Sequence, residues 1–300
     1  MSDRRAADLA VFEDHRPSLL ALSYRMLGDM GRAEDMVQDA WLRWHERRSE
    51  AESPRAFLVT LVTRLCLNDL DSARARREES RSGRLPEPVD LDEGVIGRVE
   101  AMDRVSMAFL VVLQRLTPPE RAALLLHDVF DFGHAEIAAL IGKSEPACRK
   151  LLERARAHVA QARHTLDVSR EEHARILGAF MRAVLAGDTS ALLSLLAEDA
   201  TMISDGGPDG RTLPGGRTLV APLVGAARVA AFVIAATARG KSALSLSVHE
   251  LNGQPALVLT QQGTPAAVLM LGVADGRVRS IFVHADAARL GHLGRARREA

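Results

Sequence analysis

Apolar residues recur at helical spacing through roughly the first 80 positions. Leu19, Leu20, Leu22, Met26 and Leu27 form one such set before Gly28, Asp29 and Gly31 punctuate the chain. The spacing predicts a second amphipathic helix from about Arg32 to Arg47, with Met36, Val37, Ala40, Trp41 and Trp44 on one stripe. The polar stretch 47–54 (RRSEAESP) reads as a loop in which Ser53 is suited to an N-cap and Pro54 to the first helical turn. The helix that follows carries Phe57, Leu58, Leu61, Val62, Leu65 and Leu70 and runs out into the arginine-rich stretch 74–77. Residues 84–103 break the periodicity, opening with RLPEPVDLDEG. Helical spacing returns from Met102 to about Arg163, interrupted by Thr117-Pro118-Pro119-Glu120.

From about Glu171 the pattern changes. Two helices (172–186 and 190–197) precede a short strand over 200–204 and a Gly/Pro-rich loop over 205–216, and 225–239 reads as another helix. Four β-runs follow near 243–251, 255–261, 265–273 and 277–284. The turn signals Asn252-Gly253, Gly263 and Asp275-Gly276 separate them, so an antiparallel meander is expected. Helices against such a meander make an α+β domain. The fold class is therefore multidomain: two all-α domains (1–83 and 104–165), joined by an acidic linker (84–103) and followed by an α+β domain (171–294).

The length of 300 residues accommodates these domains, and 47% hydrophobic residues can fill their cores. Two cysteines, Cys66 and Cys148, cannot build a disulfide framework, and no Cys/His cluster has metal-ligand spacing. The N-terminal stretch lacks the apolar region of a signal peptide and no apolar run reaches membrane-span length. No membrane contact and a cytoplasmic location are expected, with no cofactor or metal.

Lys+Arg and Asp+Glu are both 39, a balance that argues against nucleic-acid binding until it is examined locally. Residues 85–103 carry six acidic side chains against one arginine, whereas 143–163 carry six basic against two acidic. The basic stretch coincides with the sharpest motif. His134–Ile141 is a short helix, Gly142-Lys143-Ser144 a tight turn, and a second helix puts Cys148, Leu151, Leu152, Ala155 and Val159 inward. Arg149, Lys150, Glu153, Arg154 and Arg156 are left outward. This is the helix-turn-helix pattern, whose second helix enters the DNA major groove. An ordinary helical hairpin with a solvated charged face has the same pattern.

Residues 25–47 (RMLGDMGRAEDMVQDAWLRWHER) and 53–77 (SPRAFLVTLVTRLCLNDLDSARARR) resemble region 2 of bacterial RNA polymerase sigma factors of the extracytoplasmic-function (ECF) group. Residues 109–159 resemble region 4 of the same group. The resemblance implies an alternative sigma factor that directs transcription initiation without catalysing a reaction itself. It implies core RNA polymerase as partner, through the clamp of the largest subunit for region 2 and the flap for region 4, and promoter DNA. The polar face Glu34, Asp35, Gln38 and Asp39 would meet the polymerase. Arg47, Arg48, Asn68, Arg74, Arg76 and Arg77 would lie near the minus-ten element, where a base is flipped out. Lys143, Ser144, Arg149, Lys150 and Arg154 would meet the minus-thirty-five element. Arg149 can read guanine edges or hold phosphate, and the sequence leaves both open.

The ααβαββββ order after region 4 resembles the SnoaL-like cone, which a subfamily of ECF sigma factors carries fused at this place. That subfamily is marked by a Trp-Leu-Pro-Glu-Pro linker, an Asp-Gly-Gly-Gly loop and a terminal Asn-Pro-Asp-Lys-Leu stretch. Here Leu85, Pro86, Glu87 and Pro88 follow Arg84 in place of Trp, and Asp205, Gly206 and Gly207 precede Pro208 in place of Gly. The terminal stretch reads Asp286-Ala287-Ala288-Arg289-Leu290. The resemblance makes these linker and loop residues regulatory and gives the domain a role in cis. Two rivals remain: a SnoaL-like enzyme or ligand-binding protein with a helical DNA-binding appendage, and a helix-turn-helix repressor. For the enzyme, Asp205, His249 and His284 are the candidate bases, and a small ligand in the C-terminal pocket is the binding alternative.

Overall fold

The computed structural model describes residues 2–47, 53–72, 84–90, 106–162, 168–207, 210, 212–213, 216–240 and 244–294. The chain forms two compact units. The first contains α1 (Ser2–Leu27), α2 (Met30–Arg47), α3 (Pro54–Asp71), α5 (Pro118–Phe130), α6 (His134–Ile141) and α7 (Glu145–Ala162) except its last residue. Helix α4 (Met107–Arg115) is counted with the second unit as far as Phe109 and with the first from Leu110.

The helix boundaries follow local chemistry. Gly28, at φ 68°, ends α1 in the left-handed conformation that glycine adopts most cheaply. Asp29 then accepts the Arg32 amide through Oδ1 at 3.0 Å as α2 begins. Ser53 caps α3, its Oγ accepting from the Ala56 amide at 3.4 Å, with Pro54 in the first turn as expected. The Thr117–Glu120 break is the start of α5: Glu120 Oε2 accepts from the Thr117 amide at 3.0 Å and from its hydroxyl at 2.7 Å. Tyr24, Leu19, Leu22 and Met26 of α1 pack fully buried, as do Leu58 and Val62 of α3. The buried Arg121 of α5 donates to the main-chain carbonyls of Leu113 at 2.8 Å and Leu116 at 3.3 Å, and also to that of Met26. One guanidinium thus satisfies carbonyls at two helix ends, where the backbone has no intrahelical donor.

The second unit is α+β. Helices α8 (Arg170–Ala186), α9 (Thr189–Leu195) and α10 (Ala226–Gly240) accompany a six-stranded sheet in the order β4-β1-β8-β7-β6-β5. The strands are β1 (Leu196–Asp205), β4 (Leu223–Val224), β5 (Ser245–Leu251), β6 (Gln254–Gln261), β7 (Thr264–Ala274) and β8 (Arg277–His284). A two-residue hairpin, β2 (Thr212–Leu213) with β3 (Gly216–Arg217), lies inside the segment read as a loop. The meander from β5 to β8 is antiparallel, and its turns put Asn252, Gln262 and Asp275 at φ 52°, each followed by a positive-φ glycine. Two pairings depart from a pure meander: β1 runs parallel to β8, and β4 closes the edge beside β1. The helix expected over 190–197 ends at Leu195, and β1 starts at once.

The helices cover one face of this sheet, where Ile176, Leu177 and Phe180 of α8 and Val229 and Val233 of α10 pack with Met202, Leu257, Leu271 and Ile281. The opposite face is covered as well. Residues 85–89 are all buried, and a Cβ placed on Gly272 would meet Ala108 Cβ at 3.6 Å. Burial on both faces explains why β7 (TPAAVLMLGVA) reads as a continuous apolar run.

Candidate nucleic-acid interface and linker clasp

In the first unit, Glu34, Asp35, Gln38 and Asp39 are all exposed on one side of α2, while Ala33, Val37, Ala40 and Trp44 are buried on the other. Asn68 is exposed near the end of α3. Next to it Asp69 accepts both Nε and Nη2 of Arg32, pinning the start of α2 to the end of α3. The side chain of Arg47 and all of Arg48, Arg74, Arg76 and Arg77 lie outside the described residues.

Helices α6 and α7 form the hairpin of the helix-turn-helix pattern. Gly142, at φ 65°, closes α6, and Ser144 Oγ accepts the Ala147 amide at 3.4 Å to open α7. Cys148, Leu152 and Ala155 are buried, leaving Lys143, Ser144, Arg149, Lys150 and Arg154 exposed. Their partners separate these cations. Arg149 bonds Glu145 one turn back, a pairing weak enough at an exposed site to be exchanged for DNA. Arg154 Nε instead lies 3.0 Å from Oε1 of the buried Glu120, the carboxylate that opens α5. Burial works against ionisation of Glu120, but the two Thr117 bonds and the charges of Arg154 and His158 outweigh it, and its pKa is lowered. Arg154 is therefore tied to a buried carboxylate of another helix, whereas Arg149 pairs with an exposed one on its own helix. Arg156, read from the sequence as outward but not as a contact, joins His127 at 3.1 Å and Asp128 of α5. Its i+7 offset from Arg149 was the available signal.

In the second unit, the residues marked as regulatory converge although they lie far apart in sequence. Asp205, at the end of β1, accepts the Leu85 amide through Oδ2 at 3.0 Å. Arg289 Nη1 donates to the same Oδ2 at 3.1 Å and to the Leu85 carbonyl at 2.7 Å. Both side chains of this ion pair are largely buried, at 11% and 8% exposure. Asp205 Oδ1 takes the Gly207 amide at 3.0 Å, so both carboxylate oxygens are used. Gly207 sits at φ 81°, and a Cβ there would come within 3.1 Å of the Asp286 carboxylate, so the loop requires glycine at this position. Further along the linker, His292 Nε2 lies 3.0 Å from the Pro88 carbonyl and Nδ1 lies 3.3 Å from Glu87. Val89 exchanges two bonds with Asn252, at 2.8 and 3.1 Å. The amide of Met107 donates to Gln254 at 3.2 Å. The main chain of the linker is thus held chiefly by side chains of the second unit, Asp205, Arg289, His292, Asn252 and Gln254, with one main-chain bond between Val89 and Asn252.

Of the three candidate bases, Asp205 and His284 are register partners across β1 and β8, while His249 lies on β5 at the other edge of the sheet. Asp205 is consumed by the clasp, and His249 is half-buried with Nε2 2.9 Å from Ser247 Oγ. His284 is buried with Nε2 unpartnered; burial, and secondarily the Arg289 charge, push its pKa down to about 3. None of the three is among the residues lining the cavity of the second unit.

An acidic helix face, a basic helix-turn-helix and an α+β unit clasping the connecting chain define a multidomain DNA-binding protein. The family models agree: residues 11–76 match Sigma-70 region 2, and residues 106–159 match Sigma-70, region 4. The chain is 35% identical over 288 residues to the ECF RNA polymerase sigma factor SigJ of Mycobacterium tuberculosis, covering 92% of this chain and 90% of that one. It is 32% identical to the probable ECF RNA polymerase sigma factor SigI of the same species, over 91% of each chain. The crystal structure of Mycobacterium tuberculosis SigJ superposes with a TM-score of 0.71 at 31% identity, covering 95% of this chain and 98% of that chain. This chain belongs to the ECF RNA polymerase sigma factors. Its C-terminal unit has the α+β, SnoaL-like order of elements, and among the described residues no helix is long and apolar enough to cross a membrane.

Proposed function

We propose that this sigma factor docks on the clamp of the largest polymerase subunit through the acidic face of α2, and that the flap holds region 4. The helix α7 reads the minus-thirty-five element, with Arg149 and Lys150 as the principal contacts. Asn68 and the basic residues 47, 48, 74, 76 and 77 serve the minus-ten element. The work is done in the cytoplasm, where the polymerase is. The observation that carries this reading is the exposed Arg149–Lys150 pair on the second helix of a helix-turn-helix within the matched region 4. The C-terminal unit acts in cis through the Asp205–Arg289 clasp on Leu85, which limits how freely the linker joins regions 2 and 4. A small ligand in the cavity of that unit is the input to which such a clasp would respond.

The test is promoter-specific transcription by purified core polymerase with the full-length protein. Initiation from a defined start site is expected. It should fall at least tenfold in Arg149→Ala/Lys150→Ala, and the Arg289→Ala variant should shift promoter output. Absence of polymerase binding and of specific initiation would overturn the reading.

A further inference from the structure

The second unit contains a cavity of about 190 Å³ between its helices and the sheet. Its walls include Phe180 and Met181 of α8, Phe232 of α10, Met202 of β1, Leu257 of β6 and Leu269 of β7. Close-packed interiors rarely leave such space, because every unfilled wall atom forfeits its dispersion partners. Among the described residues, the polar side chains in the lining are Ser204, Arg217, Thr218 and Thr237. Ser204 Oγ already accepts the Leu219 amide, and Arg217 is exposed on the short hairpin at the rim. Water needs two to four polar partners to occupy a cavity stably, and these walls are poorly equipped to supply them. An apolar molecule needs only matching shape, and an apolar cavity of about 150 Å³ takes up benzene.

We propose that this cavity is a binding site for a predominantly apolar small molecule of one or two rings, or a short hydrocarbon chain, that carries no positive charge. It rests on the reading of the C-terminal unit as a ligand-receiving regulator, and it specifies the chemistry of that input. A cationic ligand would have to bury its charge among hydrocarbon or leave it at the mouth beside the Arg217 guanidinium, and both are unfavourable. Among the described lining residues, the hydroxyls of Ser204, Thr218 and Thr237 and the Arg217 guanidinium do not supply an ionisable base near neutral pH, so the proposed site is one for binding.

Two methionines in the wall make the site directly observable. The full-length protein, labelled with ¹³C at the methionine methyls and assigned through Met181→Leu and Met202→Leu, is titrated with naphthalene to its solubility limit. The Met181 and Met202 signals should move saturably while Met26 in the first unit stays fixed. The cation 2-naphthylmethylammonium at equal concentration should leave them in place. Ala236→Phe and Thr237→Phe, which fill the cavity from α10, should each abolish the response, with thermal melting reporting that each variant is folded. No movement of either wall methyl overturns the site, and a 2-naphthylmethylammonium response equal to that of naphthalene overturns the ligand class. Transcription by the same preparation reports separately on the sigma-factor reading, so one can fail while the other stands.

Discussion

His284 shows how a single side chain sets the conditions under which the second unit is stable. It is paired in register with Asp205 across β1 and β8 and is wholly enclosed. Its imidazole is held neutral, with a pKa near 3 against 6.5 for the free side chain. In the unfolded chain it takes up a proton below about pH 6.5, whereas in the folded chain it does not until about pH 3. Stability is therefore fully present above pH 6.5 and declines as the pH falls between these two values. The slope is about 1.4 kcal/mol per pH unit for this one group. His173, also buried with a lowered pKa, adds to the decline. Denaturant titrations of His284→Gln should show a shallower loss between pH 6.5 and 5 than the parent chain, with the His173 contribution left. Cys66 illustrates the same physics without a function: burial pushes its thiol up to about 12, which keeps it unreactive.

At the scale of elements, helix ends and turns were legible because their signals are local. Ser53-Pro54, Gly142, Ser144 and the Asn252-Gly253 turn each act within four residues, and each stands where the pattern put it. The parallel pairing of β1 with β8 was not legible, since its partners are about 80 residues apart and nothing in either strand names the other. The two-residue strands β2, β3 and β4 fell below the length at which alternation carries information. In α7 the inward stripe was readable, but the division among its outward cations was not. The Arg154–Glu120 pair depends on how α5 packs. That division has a measurable consequence. If Arg149 and Lys150 hold phosphates, replacing either with Ala lowers the salt dependence of promoter binding by about one counterion in the log–log slope. If Arg149 reads guanine, its replacement relaxes preference at one base pair instead. Binding of the reconstituted holoenzyme across a salt series, on parent and single-substituted promoters, separates the two.

Over the whole molecule, zero net charge proved to be an average over segments of different sign. Residues 85–103 sum to −5, 104–170 to +3 and 171–300 to +2, with 1–84 neutral. Even the neutral segment separates the exposed carboxylates of α2 from the arginines that follow α3. The positions read as regulatory were legible only as motifs. That Leu85, Asp205 and Arg289 meet could not be read, because the bonds joining them span 84 to 204 residues.

Strand β1 carries Ser204 toward the cavity and, one residue on, Asp205 toward the linker. A strand places neighbouring side chains on opposite faces, so a guest on one side and the linker on the other share a single wall. Whatever free energy the guest contributes to loosening or tightening the linker must be returned, factor for factor, when the linker is what moves. Affinity for naphthalene in Arg289→Ala, where the linker loses its ion-pair anchor, should therefore differ from that of the parent chain. The direction of that difference tells whether a filled cavity grips the linker or lets it go. The same reciprocity turns promoter engagement into a chemical readout, since any step of initiation that strains the linker would alter how tightly the small molecule is held.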